Sequence, residues 1–172
     1  MSELKWSSDY QSLFNNNQVA EKLFLNPLIA KDIWNLVNDL GIEIHKHQSH
    51  STLNFQNLHQ DWLKLLAKYY ILIRYKSLKS ETLINTLSTL NKFSLYLKEA
   101  SIYNFNNINN QTFEDFDYYL RSQSNNLSSN TIFTHHGYLA VFLNTCRIEG
   151  WLNVNTYWFR GRCGISKAKL GD

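Results

Sequence analysis

Pro27 is the only proline in the chain, and six glycines are spread over its 172 residues. A barrel or sandwich of many strands needs many tight turns, and those draw on proline and glycine for their special backbone angles. So few turn formers leave room mainly for long helices joined by polar breaks. Hydrophobic residues make up 44% of the chain, enough for a packed core, but charged residues only 18%, below the ~25% of ordinary soluble proteins. Solubility therefore rests on uncharged polar groups, above all 21 asparagines.

The first 25 residues hold two short apolar stretches, around Leu13-Phe14 and Leu23-Phe24-Leu25, interrupted by Asn15-Asn16-Asn17. Asn26-Pro27 has the form of a helix start, a capping Asn followed by Pro at the first helical position. Ile29, Ile33, Leu36, Val37 and Leu40 then recur with the 3.6-residue period, and Gly41 suits a left-handed cap. This pattern predicts a helix over 27–40. Residues 45–54 are almost wholly polar and read as a linker.

From residue 57 the helical period is cleaner. Leu58, Trp62, Leu65, Leu66, Tyr69, Leu72 and Ile73 share one face of a helix reaching about Lys76. A second helix carries Leu83, Leu87, Leu90, Phe93 and Leu97. The Asn-rich break from Ser101 to Gln111 leads to a third, expected to be capped by Thr112 with Asp115 returning the bond, and with Phe113, Phe116, Tyr119 and Leu120 inward. The fourth spans about 130–149, stops at Gly150, and turns Ile132, Leu139, Phe142, Leu143 and Cys146 inward. Four helices within ~95 residues make a bundle.

The second and fourth helices begin alike. Leu78-Lys79-Ser80-Glu81-Thr82-Leu83, followed by Leu90 and Phe93, matches Leu127-Ser128-Ser129-Asn130-Thr131-Ile132, followed by Leu139 and Phe142. Each copy has a Leu anchor, a Ser expected to cap (Ser80, Ser129), a first-turn Thr, and two core residues at equal spacing. Two helix starts held alike present two positive dipole ends, which suit phosphate.

Leu-x-Ser-x-Thr-Ile/Leu opening a helix twice, about fifty residues apart, resembles the core-binding domain of tyrosine recombinases, the phage integrases. Leu95-Tyr96-Leu97, Asn107-Ile108 and Arg147-Ile148-Glu149-Gly150-Trp151 add to the likeness, which covers roughly 56–155. The resemblance implies an all-α fold, a four-helix SAM-like bundle whose second and fourth helices face duplex DNA, here with an N-terminal helical extension. It divides the chain into extension and linker (1–55), core-binding domain (56–155) and a basic tail (156–172). That tail would lead toward a catalytic domain absent from this sequence: no His-x-x-Arg occurs, and the ten tyrosines lack the nucleophile's context. Strand cleavage is therefore not carried over.

Opposite the apolar stripe, the second helix carries Asn85, Ser88, Thr89 and Lys92. A polar helix face with one cation is in most proteins simply a solvated face; the resemblance turns it into a candidate DNA surface. Asn85 suits an adenine edge, whereas Lys79, Ser80 and Lys92 suit phosphates. Asn130, Thr134 and His135 lie at the equivalent turn of the fourth helix, and adjacent His135-His136 read as one exposed and one half-buried ring. Thr82 and Thr131 read as first-turn residues beside their caps. The formal net charge of +3 permits nucleic-acid binding without demanding it. It is concentrated toward the C-terminus, where Arg160, Arg162, Lys167 and Lys169 could follow a DNA backbone or merely keep a tail solvated. Trp158 and Phe159 are expected to pack on the bundle.

Other chemistries find little support. Histidines 45, 47, 50 and 59 fall mainly in the expected linker, without the rigid spacing and supporting contacts of a zinc site. Gly161-Arg162-Cys163-Gly164 is a chance-level G-x-x-G. No cofactor is expected. Cys146 and Cys163 make no disulfide framework, and the apolar runs fall far short of a membrane span. A cytoplasmic protein is therefore expected; the resemblance adds association with the nucleoid, double-stranded DNA as partner and self-association in a recombination complex. The competing reading is a helical interaction or assembly domain that uses its aromatic tail and apolar N-terminal segment and binds no DNA.

Overall fold

The computed structural model describes residues 17–44, 48, 50–123 and 127–159. Among these, five α-helices carry the architecture: α1 (Gln18–Phe24), α2 (Asp61–Arg74), α3 (Ser80–Glu99), α4 (Asn110–Ser122) and α5 (Ser129–Ile148). Short 3-10 turns lie at Pro27–Ala30, Phe105–Asn107 and Thr156–Phe159. The strands β1 (Ile33–Asn35) and β2 (Thr52–Asn54) form an antiparallel pair, Trp34 opposite Leu53. The fold is thus all-α in substance, as a SAM-like bundle requires.

Helix α2 is the axis of the molecule. Seven consecutive residues, Leu65 to Ile71, are buried, together with Trp62 and Leu63. The sequence reading gave α2 one apolar face; it has two covered faces, because the N-terminal segment packs where solvent was expected. Helices α3 and α5 pack against α2 and against each other, while α4 lies against α3, α5 and the final 3-10 turn. Leu90, Phe93, Leu139 and Phe142, the matched residues of the repeat, are all buried. Phe93 stacks on Phe113 at 5.8 Å between ring centroids, and Phe113 stacks on Trp158 at 5.2 Å. Trp158 and Phe159 pack on the bundle as expected.

The predicted helix over 27–40 is not formed. Asn26 does cap a turn that begins at Pro27, its side chain accepting from Leu28 N, but the 3-10 turn stops at Ala30 and the chain extends into β1. A single helical turn follows: Asn35 Oδ1 accepts from Val37 N and Asn38 N, and left-handed Gly41 (φ 66°) closes it. The Asn-Pro and Gly signals were therefore both real, one for each end of two separate turns. Trp34 decides between them: it is fully buried, donates Nε1–H to the carbonyls of Leu28 and Lys31, and packs on Phe55. Extended backbone sends Trp34 inward, and leaves Ile33 exposed. Residues 52–54, inside the expected linker, form β2, with Leu53 in the core.

An ion pair joins this N-terminal segment to α2. Lys68 is wholly buried and donates to Asp32 Oδ1 at 2.8 Å and to the carbonyl of Ile29 at 2.7 Å. Lys64 donates to the other oxygen of Asp32 at 3.2 Å. At the far end, Asn17 caps α1 and reaches the carbonyl of Glu149, beside left-handed Gly150 (φ 77°), which terminates α5 as expected. Helix α4 starts earlier than predicted: Asn109 is the cap, and Thr112 returns the bond from the third position, so Asp115 accepts from Gln111 instead.

Candidate nucleic-acid interface

The two repeat copies set the geometry of the site. Lys79 and Ser128 occupy equivalent extended positions before α3 and α5, with φ of -68° and -66°. The cap itself is therefore one residue earlier than predicted, and Ser80 and Ser129 are the first residues of their helices. Nor are the two ends held alike. Ser128 Oγ accepts from Thr131 N, whereas the first turn of α3 has no side-chain cap. Lys79 is exposed there, and the Ser80 hydroxyl is buried and donates to Gln48 Oε1.

Between the N-terminal halves of α3 and α5 lies an open groove of about 310 Å³, lined by Asn85, Ser88, Asn130, Thr131, Thr134, His135 and Tyr138. Four residues singled out from the sequence, Asn85, Asn130, Thr134 and His135, thus meet in one place although they come from two helices. No lining residue is a carboxylate. Asn85 and Asn130 are exposed, and their amides are free of hydrogen bonds among the described residues, so each can both donate and accept. Thr134 donates its hydroxyl proton to the carbonyl of Asn130, leaving its oxygen as an acceptor.

Thr89 does not belong to the solvated face. It is fully buried between the helices, and its Oγ1 lies 2.8 Å from His135 Nδ1. The polar stripe of α3 is therefore narrower than its sequence suggested, because α5 covers the side on which Thr89 lies. His135 is half-buried and His136 buried, so neither ring is the exposed one expected. Burial, then the nearby Lys92 and His136, hold the His135 imidazole below its ordinary pKa and so favour the neutral ring. Behind it, His136 Nε2 meets Asp117 Oδ1 at 2.8 Å, and Asp117 pairs with Arg121. Burial alone would raise the Asp117 pKa, but hydrogen bonds from Arg121 and His136 outweigh it and hold it down.

Lys92 is half-buried and close enough to His135 to act on it electrostatically. Arg160 and Arg162 lie outside the described residues, as do Lys167 and Lys169. Three lining residues are not among those the sequence marks for DNA contact. Thr131 reads there only as a first-turn residue beside its cap, and Ser88 only as part of the polar face of α3; Tyr138, three and four residues from His135 and Thr134, lies on the same helical face as they do.

The phage integrase SAM-like domain matches residues 63–162, from the middle of the first turn of α2 through α5 and the final 3-10 turn. That is more than half of the chain. The chain belongs to the phage integrase SAM-like domain family. Among curated proteins and among solved structures, none matches it. The SAM-like domain here is the N-terminal type of tyrosine recombinases, a part that is not itself catalytic. Its groove lies wholly within the matched region, whereas the strands β1 and β2 lie outside it and yet share its core. Among the described residues no helix is long and apolar enough to cross a membrane.

Proposed function

We propose that this chain is the DNA-holding part of a site-specific tyrosine recombinase, gripping one face of a duplex half-site with α3 and α5 toward the major groove. The observation that carries the reading is the α3–α5 groove: it brings two unengaged amides, Asn85 and Asn130, together with hydroxyls and the His135 imidazole in a lining that holds no carboxylate. Amides that both donate and accept suit the edges of bases, while Lys79 at the start of α3 and Lys92 beside His135 suit the phosphates on either side. Family membership makes DNA the natural partner for such a groove. Strand cleavage would fall to a separate catalytic domain, self-association to the assembled recombination complex, and the protein's place in the cell to the nucleoid.

The test is a titration of a fluorescent duplex, taken from the DNA flanking the coding sequence, against a scrambled control at two salt concentrations. Affinity is expected to fall at least about tenfold between about 50 and about 200 mM salt, because phosphate contacts release counterions. Lys79→Ala/Lys92→Ala is expected to abolish binding. A flat salt response, or binding that the double substitution leaves unchanged, would remove DNA from the reading and return weight to a protein-interaction role.

A further inference from the structure

Building on the DNA-binding reading, we infer that His135 is a specificity-determining hydrogen-bond donor whose tautomer is set by Thr89. The ring would present Nε2–H to an acceptor on a base edge in the major groove.

The geometry comes from a single hydroxyl. Thr89 is completely buried, so the proton on its Oγ1 needs an acceptor inside the protein. Thr86, which is also buried, meets the same need by donating to the carbonyl of Thr82, four residues earlier. Thr89 instead turns its oxygen to His135 Nδ1 at 2.8 Å. A hydroxyl that donates to Nδ1 requires that nitrogen to be bare, and in a neutral imidazole the one remaining proton then sits on Nε2. Nε2 has no partner among the described residues and is not one of the buried atoms left unsatisfied, while the ring lines the groove. It is therefore the ring nitrogen left to bond a ligand in the groove.

The charge state agrees with this. Lys92 from α3 and His136 from α5 are the charged and titratable groups acting on the ring, and with burial they disfavour its protonation. A neutral ring keeps Nδ1 an acceptor for Thr89, so the donor at Nε2 stays fixed. Purine N7, guanine O6 and thymine O4 accept such a bond, whereas the amino groups of adenine and cytosine do not. Phosphate oxygens also accept it, so sequence preference has to separate the two.

Two measurements on the full chain test this. In the free protein, long-range ¹⁵N NMR at neutral pH is expected to show His135 protonated at Nε2 and bare at Nδ1; the opposite tautomer would overturn the assignment. Thr89→Ser, which keeps the hydroxyl, should preserve the pattern, and Thr89→Val should lose it. In selections from duplexes with a randomised central stretch, wild type and Thr89→Ser should enrich an acceptor-bearing base at one position. Thr89→Val and His135→Phe should lose that preference by roughly three- to tenfold while keeping salt-dependent binding. Preferences unchanged in Thr89→Val, or binding weakened evenly over all sequences, would overturn the role of His135. A wild-type chain that binds no duplex in the pool even at low salt would instead refute the DNA-binding reading, and this inference with it.

Discussion

Removing the carboxylate of Asp32 puts the coupling between the N-terminal segment and the bundle to a quantitative test. In Asp32→Ala, the wholly buried Lys68 ammonium loses its partner at 2.8 Å and keeps the Ile29 carbonyl and the face of Phe55, 5.7 Å from the ring centroid. An unpaired buried charge of this kind costs about 3–5 kcal/mol. Desolvation already pushes the Lys68 pKa down, with Asp32 as the main group opposing it, so loss of Asp32 also favours a neutral amine, which places the expectation near the lower end of that range. Lys68→Met leaves Asp32 only its 3.2 Å bond to Lys64, whose side chain is partly exposed, and about 2–3 kcal/mol is expected. In Asp32→Ala/Lys68→Met no buried charge is stranded, so the double variant should be more stable than the sum of the two losses by about 2 kcal/mol or more. Urea denaturation of the four proteins measures this coupling. Single losses below about 1 kcal/mol, or losses that simply add, would refute the claim that a dry ion pair fastens the segment to α2.

Four further outcomes follow from the local structure. Ser101 ends α3 with φ of 57°, a left-handed angle costly for any residue with a Cβ, so Ser101→Gly should raise stability by about 1 kcal/mol in thermal melts. Gly150→Ala should lower it by at least as much, because φ is 77° and the added Cβ would stand 3.3 Å from Asn17 Nδ2. Trp158→Ala removes a ring stacked on Phe113 and edge-on to Phe105, and about 3–5 kcal/mol should be lost in the same melts. His135 gives a pH dependence with a defined sign. Its folded pKa is lowered, so its contribution is present above the unfolded value of about 6.5 and is lost as pH falls through the folded one. The melting temperature should therefore drop between about pH 7 and about pH 5.5, and drop less in His135→Phe.

The bundle was legible because its evidence is local. Apolar residues at helical spacing from Leu58 to Ile73 and from Leu83 to Leu97 marked α2 and α3, and the family resemblance carried by the doubled start turned Asn85, on the polar face of α3, and Asn130, Thr134 and His135, on the first turns of α5, into candidates. The same periodicity misled at Ile29 to Leu40. Five apolar residues in register with a helix do not reveal that Trp34, off that register, enters the core beside Ile29, Leu36 and Leu40 while Ile33 and Val37 stay exposed. Thr89 was misplaced for a related reason. A helical stripe shows which residues are polar, but not which polar residue a second helix will cover.

Read by itself, the amino-acid order determined four helical segments between about residues 57 and 149, much of the apolar set that fills the bundle core, and two helix openings of like sequence. Each of these follows from interactions within one or two turns: propensity, capping chemistry and the 3.6-residue period. Only the tertiary structure decided that β1 and β2 pack onto the same core, that Lys68 is a buried cation rather than a solvated one, and that Thr89 orients His135 instead of facing solvent. These depend on contacts between residues 32 and 68, and 89 and 135. A charge or hydroxyl changes its role when a distant surface excludes water from it, and no local pattern encodes which surface that will be.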